Sequence, residues 1–246
     1  MFRRELYRAM ANVLDALDAD VLARTSFRFG GGTCLALGHG EYRVSRDLDF
    51  VCSDAGGYAE LRLAVREHGY DALFPPSGRA GLSFPREIRA DQYGLRFPVV
   101  VAGASIRVEL IREARIALGP AERADWTAVP VLSVADAFAE KLLANSDRWG
   151  DRDELARDLI DLAVLRVSHG PIPDAAWAAV EAAYRSAPAQ DLRKAAERFL
   201  AEPEYQRRCF TGLDVEHPDD ILRGVRALLS DLDSSEMPGV SSKSQG

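Results

Sequence analysis

Several things are scarce in this 246-residue chain, and each shortage removes a class of explanation. No apolar run is long enough to span a bilayer, which excludes a membrane-embedded protein. The first residues, MFRRELYRAMANVLDAL, are charged and amphipathic and lack the apolar centre of a signal peptide. Only three cysteines occur, Cys34, Cys52 and Cys209, far apart and in no metal-ligand spacing. They build no disulfide framework and suit a reducing cytoplasm. Four scattered histidines argue against zinc. No Gly-Lys-Ser/Thr is present, so the chain has no P-loop. Positive charge is not in excess either: the net charge is −7, and composition alone does not ask for a nucleic-acid partner. Local basic clusters do occur, over 85–96, 111–115 and 205–209, although a charge run is more often just a solvated face.

What is present reads as two halves. Leu6, Met10, Val13, Leu14, Leu17 and Val21 recur at helical spacing and predict an amphipathic helix over 4–23. Thr25–Phe29 reads as a short strand, broken by Gly30, Gly31 and Gly32. Thr33 is a capable N-cap for one or two helical turns, Asp47–Ser53 alternates like a strand with one buried face, and a helix is expected over Tyr58–His68. Gly94–Ile111 reads as two strands joined near Ala102-Gly103. From about residue 121 the chain becomes rich in Ala and Leu at helical period. The expectation is an α+β fold: an α/β domain over 1–125 with a mixed sheet, a helical domain over 126–233 and a disordered tail over 234–246.

One stretch concentrates chemistry. In "FRFGGGTCLALGHGEYRVSRDLDF" (27–50), a glycine crook precedes two aspartates separated by one leucine. Strand side chains two apart point the same way, so Asp47 and Asp49 project from one face while Leu48 and Phe50 anchor the other. Two neighbouring carboxylates raise each other's pKa unless a cation lies between them, and Mg²⁺, a hard ion that usually brings phosphate, is the natural candidate. Gly31 and Gly32 let a ligand approach bare N–H groups, and the helix opened by Thr33 turns its positive end toward anions. Each feature has a plainer reading: a solvated Asp-x-Asp, a tight turn. In this order they describe a phosphate nest facing a metal platform. Glu109, in "SIRVELI", joins the acidic pair if its strand neighbours Asp47–Ser53; otherwise it is an exposed strand glutamate.

The runs "GGTCLALGHGEYRVSRDLDF", "IRVEL", "AFAEKLLA" and "RDLIDLAVL" together resemble the AbiEii/AbiGii-type nucleotidyltransferases, from about Phe29 to Leu165. These are abortive-infection and toxin–antitoxin toxins of the polymerase-β-like nucleotidyltransferase superfamily, including MenA-type enzymes that modify tRNA. The resemblance implies a phosphate-binding turn at Gly31, Gly32 and Thr33, triphosphate orientation by Arg43 and Ser45, and magnesium ligation by Asp47 and Asp49. It further implies an accessory acid at Glu109, a triphosphate contact from Lys141, and a late acidic motif at Asp158 and Asp161, Asp158 being favoured for catalysis. An NTP substrate, an RNA acceptor such as the 3′ end of tRNA, and a cognate antitoxin protein would follow. From the residues alone, Lys141 on an apolar helix face can also be a snorkelling lysine, and Asp158 and Asp161, three apart on a helix, a structural ion pair.

Overall fold

The backbone follows these patterns closely where they are local and departs from them where distant segments meet. A computed structural model describes residues 1–235. The expected first helix is two, α1 (Glu5–Ala16) and α2 (Ala19–Arg24). The break falls where the Asp18 side chain turns back to accept a hydrogen bond from the Val21 amide and caps the second helix. Strand β1 (Arg28–Gly30) is shorter than expected because Ser26 lies in the left-handed region at φ 59°. It leads directly into α3 (Gly31–Gly38), and the chain returns as β2 (Asp47–Cys52), then α4 (Ala55–His68).

Two short strands, β3 (Leu82–Ser83) and β4 (Arg89–Ala90), precede the hairpin β5 (Gly94–Val101) and β6 (Ala104–Arg112). Ala102 and Gly103 both take positive φ, 49° and 81°, the geometry of a tight hairpin turn. A second hairpin, β7 (Glu122–Ala124) and β8 (Thr127–Val131), completes an eight-stranded mixed sheet in the order β3-β5-β6-β2-β1-β8-β7, with β4 also on β5. The boundary expected at residue 125 falls in the turn of this hairpin. Strand β8, on its helical side, pairs in parallel with β1 and belongs to the sheet.

Helices α5 (Val134–Arg148), α6 (Arg157–His169), α7 (Asp174–Tyr184), α8 (Ala187–Ala201), α9 (Pro203–Gly212) and α10 (Pro218–Ser235) follow. Helix α10 takes in Ser234 and Ser235; the rest of the expected tail, 236–246, lies outside the described residues.

One face of the sheet carries the core. Phe29, Leu48, Phe50, Phe97, Val99, Ile106, Val108 and Leu110 are buried and join α1 through Tyr7, Met10 and Val13 in a single cluster. Full burial of each such side chain contributes about 1.5–3 kcal/mol. The alternation that sends Leu48 and Phe50 inward sends Asp47 and Asp49 outward, toward the helical half.

Candidate active site

Between the outer face of the sheet and helices α5, α6 and α9 lies a cleft of about 750 Å³. Gly31, Gly32, Arg43, Ser45, Asp47, Asp49, Arg107, Glu109 and Lys141 all line it. Strand pairing makes this arrangement. Asp49 lies opposite Gly30 on β1 and beside Glu109 on β6, so Glu109 does join the aspartates' face. Gly31, at φ +68°, runs directly against the Asp49 carboxylate: a Cβ there would lie 2.5 Å from Oδ2. A Cβ on Gly32 would lie 2.2 Å from the Arg43 guanidinium. The crook is bare because acid and arginine already fill the space beside it. Thr33, by contrast, is fully buried in α3, off the cleft wall, with its hydroxyl unpartnered.

Among the acids on the strands, Asp49 is short of positive charge. Burial, then the neighbouring Asp47 and Glu109 carboxylates, push Asp49 up to about 6 against the opposing pull of Lys141. Asp47 is held by Arg107 (Nε–Oδ1 3.1 Å, Nη2–Oδ2 2.8 Å), and Glu109 lies 3.4 Å from Arg96.

The acids on the helix have positive charge to spare. Asp161, wholly buried, accepts from Tyr42 (2.6 Å) and from both prongs of Arg43 (2.6 and 2.7 Å), and lies 2.6 Å from Lys141. Asp158 accepts from Lys141 (3.1 Å) and doubly from Arg148 (2.8 and 2.9 Å). Burial works to raise both carboxyls, but the cations outweigh it and hold both below the usual carboxylate range. For Lys141 burial works downward, and Asp161 and Asp158 more than reverse it, so the ammonium stays charged. Neither Asp158 nor Asp161 lines the cleft; they stand behind Lys141, Arg43 and Arg148, which do.

A model of the AbiEii family, described as nucleotidyl transferase AbiEii toxin of type IV toxin–antitoxin systems, matches residues 12–228, nearly nine-tenths of the chain. The chain belongs to this family. Its fold is similar to the crystal structure of JHP933 from Helicobacter pylori, with a TM-score of 0.55 at 16% identity, covering 96% of this chain and 97% of that one. It is also similar to a candidate nucleotidyltransferase from the same organism, with a TM-score of 0.50 at 16% identity over 95% and 96% of the two chains. Among curated proteins no significant match is found. AbiEii membership makes nucleotidyl transfer within a toxin–antitoxin system the family activity, with an NTP as substrate and an antitoxin as partner.

For an AbiEii nucleotidyltransferase the question of a divalent metal turns on the donors. Among the described residues no three His, Cys, Asp or Glu side chains are grouped to chelate an ion unaided. The two strand aspartates nevertheless fit Mg²⁺, which commonly takes one or two protein carboxylates and completes its shell with substrate phosphates and water. The raised Asp49 carboxyl also marks a place where added positive charge is favoured.

Further residues on the same wall carry no motif in the sequence. Glu140 on α5 lies close enough to Glu113, after β6, to feel its charge, and Arg115 is bound to Glu113 (2.7 Å) and Asp147 (3.0 Å) and lies 3.6 Å from Glu140. Burial and then Glu113 push Glu140 up to about 8, whereas the Arg115 hydrogen bonds overcome the burial of Glu113 and lower it. Of the arginines in the three basic clusters, Arg115, Arg207 and Arg208 are ion-paired with Glu113, Glu204 and Asp153, while Arg86, Arg89 and Arg112 are exposed.

Proposed function

We propose that this AbiEii protein transfers a nucleoside monophosphate from an NTP to an RNA hydroxyl, the 3′ end of tRNA being the favoured acceptor, and thereby blocks translation in the cytoplasm. The observation that carries the reading is the meeting, in one cleft, of Asp47 and the undercompensated Asp49 with the bare backbone of Gly31 and Gly32. Among the described residues no helix is long and apolar enough to cross a membrane.

In this mechanism the acceptor oxygen attacks the α-phosphorus in line. As the new P–O bond forms, the bond to the bridging β-oxygen breaks and pyrophosphate leaves. Asp47 and Asp49 would hold Mg²⁺, which when bound neutralises charge on the reacting phosphates. The amides of Gly31 and Gly32 at the start of α3 receive the terminal phosphates, helped by the positive helix end. Lys141 and Arg43 supply fixed positive charge to the same wall; Asp161 holds both in place. Ser45, beside Gly32 and positioned through the bond from its amide to the Tyr7 hydroxyl, orients the triphosphate tail. With Asp158 saturated by Lys141 and Arg148, its part is to position those cations; Glu109, on the open face, is the better placed acid for the acceptor proton.

The test incubates pure protein with each α-labelled NTP, Mg²⁺ and total RNA, beside the Asp47→Asn protein. Label in a small RNA with the unaltered chain alone is expected. Label on a protein or small molecule would instead favour a second reading, nucleotidyl transfer to a non-RNA acceptor. The net charge of −7 and the hold of the buried Glu113 on Arg115 favour that reading.

A further inference from the structure

One ion pair lies where the proposed chemistry needs free oxygens. Arg107 sits on β6 directly beside Asp47 on β2, in register, so both side chains leave the same face. Its fork covers both oxygens of Asp47, at 3.1 and 2.8 Å, and its Nε is 3.9 Å from Glu109. A guanidinium thus occupies the carboxylate that would face a divalent cation. Unlike the Arg43–Asp161 pair, which is closed off at 3% and 0% exposure, Arg107 and Asp47 are open, at 58% and 33%. Such surface pairs are worth about 0.2–1 kcal/mol, so a competing anion can take the arginine away.

The next strands continue the positive charge. Arg96 on β5 is in register with Glu109, and Arg89 on β4 with Arg96. Arg107, Arg96 and Arg89 therefore border one open stretch of sheet that leads away from the aspartates, Arg96 being paired with Glu109 and Asp91.

We propose that Arg107 is a phosphate-responsive cap on Asp47. Arg107 lies on the carboxylate; a phosphate group of an arriving polyanion draws it off, toward Arg96, and bares Asp47 for the divalent cation. Phosphate and metal then bind with positive coupling, because each removes what opposes the other. The ligand chemistry is a phosphate oxyanion, supplied either by the triphosphate of the nucleotide or by the phosphodiester backbone of the acceptor. The metal half of this inference rests on the reading of Asp47 as a metal ligand; the phosphate half does not.

The test needs no turnover, so it can fail while label transfer succeeds, and the reverse. In EDTA, the affinity for inorganic tripolyphosphate (calorimetry) and for a labelled single-stranded oligonucleotide (anisotropy) is measured for the unaltered protein, Asp47→Asn, Arg107→Gln and the double variant. Uncapping by Asp47→Asn should tighten binding roughly two- to fivefold, the equivalent of one surface ion pair, and should do so only when Arg107 is present. A gain with tripolyphosphate alone assigns the phosphate to the nucleotide, and a gain with the oligonucleotide alone assigns it to the acceptor. An equal gain in the Arg107→Gln background would reduce the effect to net charge and overturn the cap, as would no gain with either ligand. In phosphate-free buffer Arg107→Gln should also bind Mn²⁺ roughly two- to fivefold tighter by electron paramagnetic resonance; unchanged or weaker binding overturns the proposal. Both side chains are exposed, so thermal unfolding of the variants serves as the folding control.

Discussion

Two pairs of aspartates, one on the cleft wall and one buried behind it, stand under opposite electrostatic regimes. Asp47 and Asp49 lie two apart on a strand; the exposed Arg107 holds Asp47, while Asp49 has no paired cation among the described residues and is pushed up to about 6. Asp158 and Asp161, three apart on a helix, are buried among Lys141, Arg43 and Arg148 and are held below the usual range. The difference separates acids with capacity left for an incoming cation from acids already spent on holding side chains in place. Spacing alone cannot tell them apart, since both pairs simply share a face.

The comparison breaks most sharply under substitution. Asp47→Asn should lower nucleotidyl transfer by about 10³-fold or more while leaving the unfolding midpoint nearly unchanged, because it removes a ligand of the cation that would neutralise the reacting phosphates and strands no buried partner. Activity near that of the unaltered chain would overturn the assignment of Asp47.

Asp161→Ala should do the reverse to the fold. It strands Arg43 and Lys141 inside the protein, and urea unfolding should show a loss of about 3–5 kcal/mol, the usual penalty for breaking a buried pair. A loss under ~1 kcal/mol, typical of exposed pairs, would dissolve the contrast between the two regions.

A subtler effect follows from Asp49. A carboxyl raised to about 6 is protonated below that pH and ionised above it. Metal competes with the proton, so Mn²⁺ affinity should weaken roughly tenfold between pH 7 and pH 5, more steeply than ordinary carboxylates give. In the Asp49→Asn protein the steep segment near pH 6 should vanish. The helix pair carries the opposite sign: its depressed carboxyls contribute stability above the unfolded value near 4, and that contribution is lost as pH falls below it.

The smallest effect concerns Glu140. Its carboxyl, raised to about 8, keeps a proton in the folded chain that the unfolded chain releases near pH 4.5, so its ionisation costs stability as pH rises between those values. Glu140→Gln should therefore gain about 1–2 kcal/mol at pH 8.5 and nothing at pH 4. A flat difference across that range would show that Glu140 keeps no proton in the folded chain.

Much of the sheet was legible because strand period and turn chemistry act over a few residues. The β5–β6 hairpin turns at Ala102-Gly103 as expected, and Leu48 and Phe50 point inward as their alternation requires. Strands of two or three residues, β3, β4 and β7, escaped notice because they are too short to display a period. The apolar spacing of the first helix runs on through Leu17 and Val21 and predicts one continuous element; the Asp18 cap breaks it without disturbing that spacing.

By itself the sequence determined which residues can share a face: Asp47 with Asp49 by the two-residue period of a strand, Asp158 with Asp161 by the helical turn, and a backbone bare at Gly31 and Gly32. Only the tertiary structure decided what each of them meets. Arg107 reaches Asp47 across 60 residues and Arg43 reaches Asp161 across 118, through strand register and helix packing that no local pattern encodes. The physical reason is that direction is a property of the nearby backbone, whereas charge balance is set by whatever the fold brings close and shields from water.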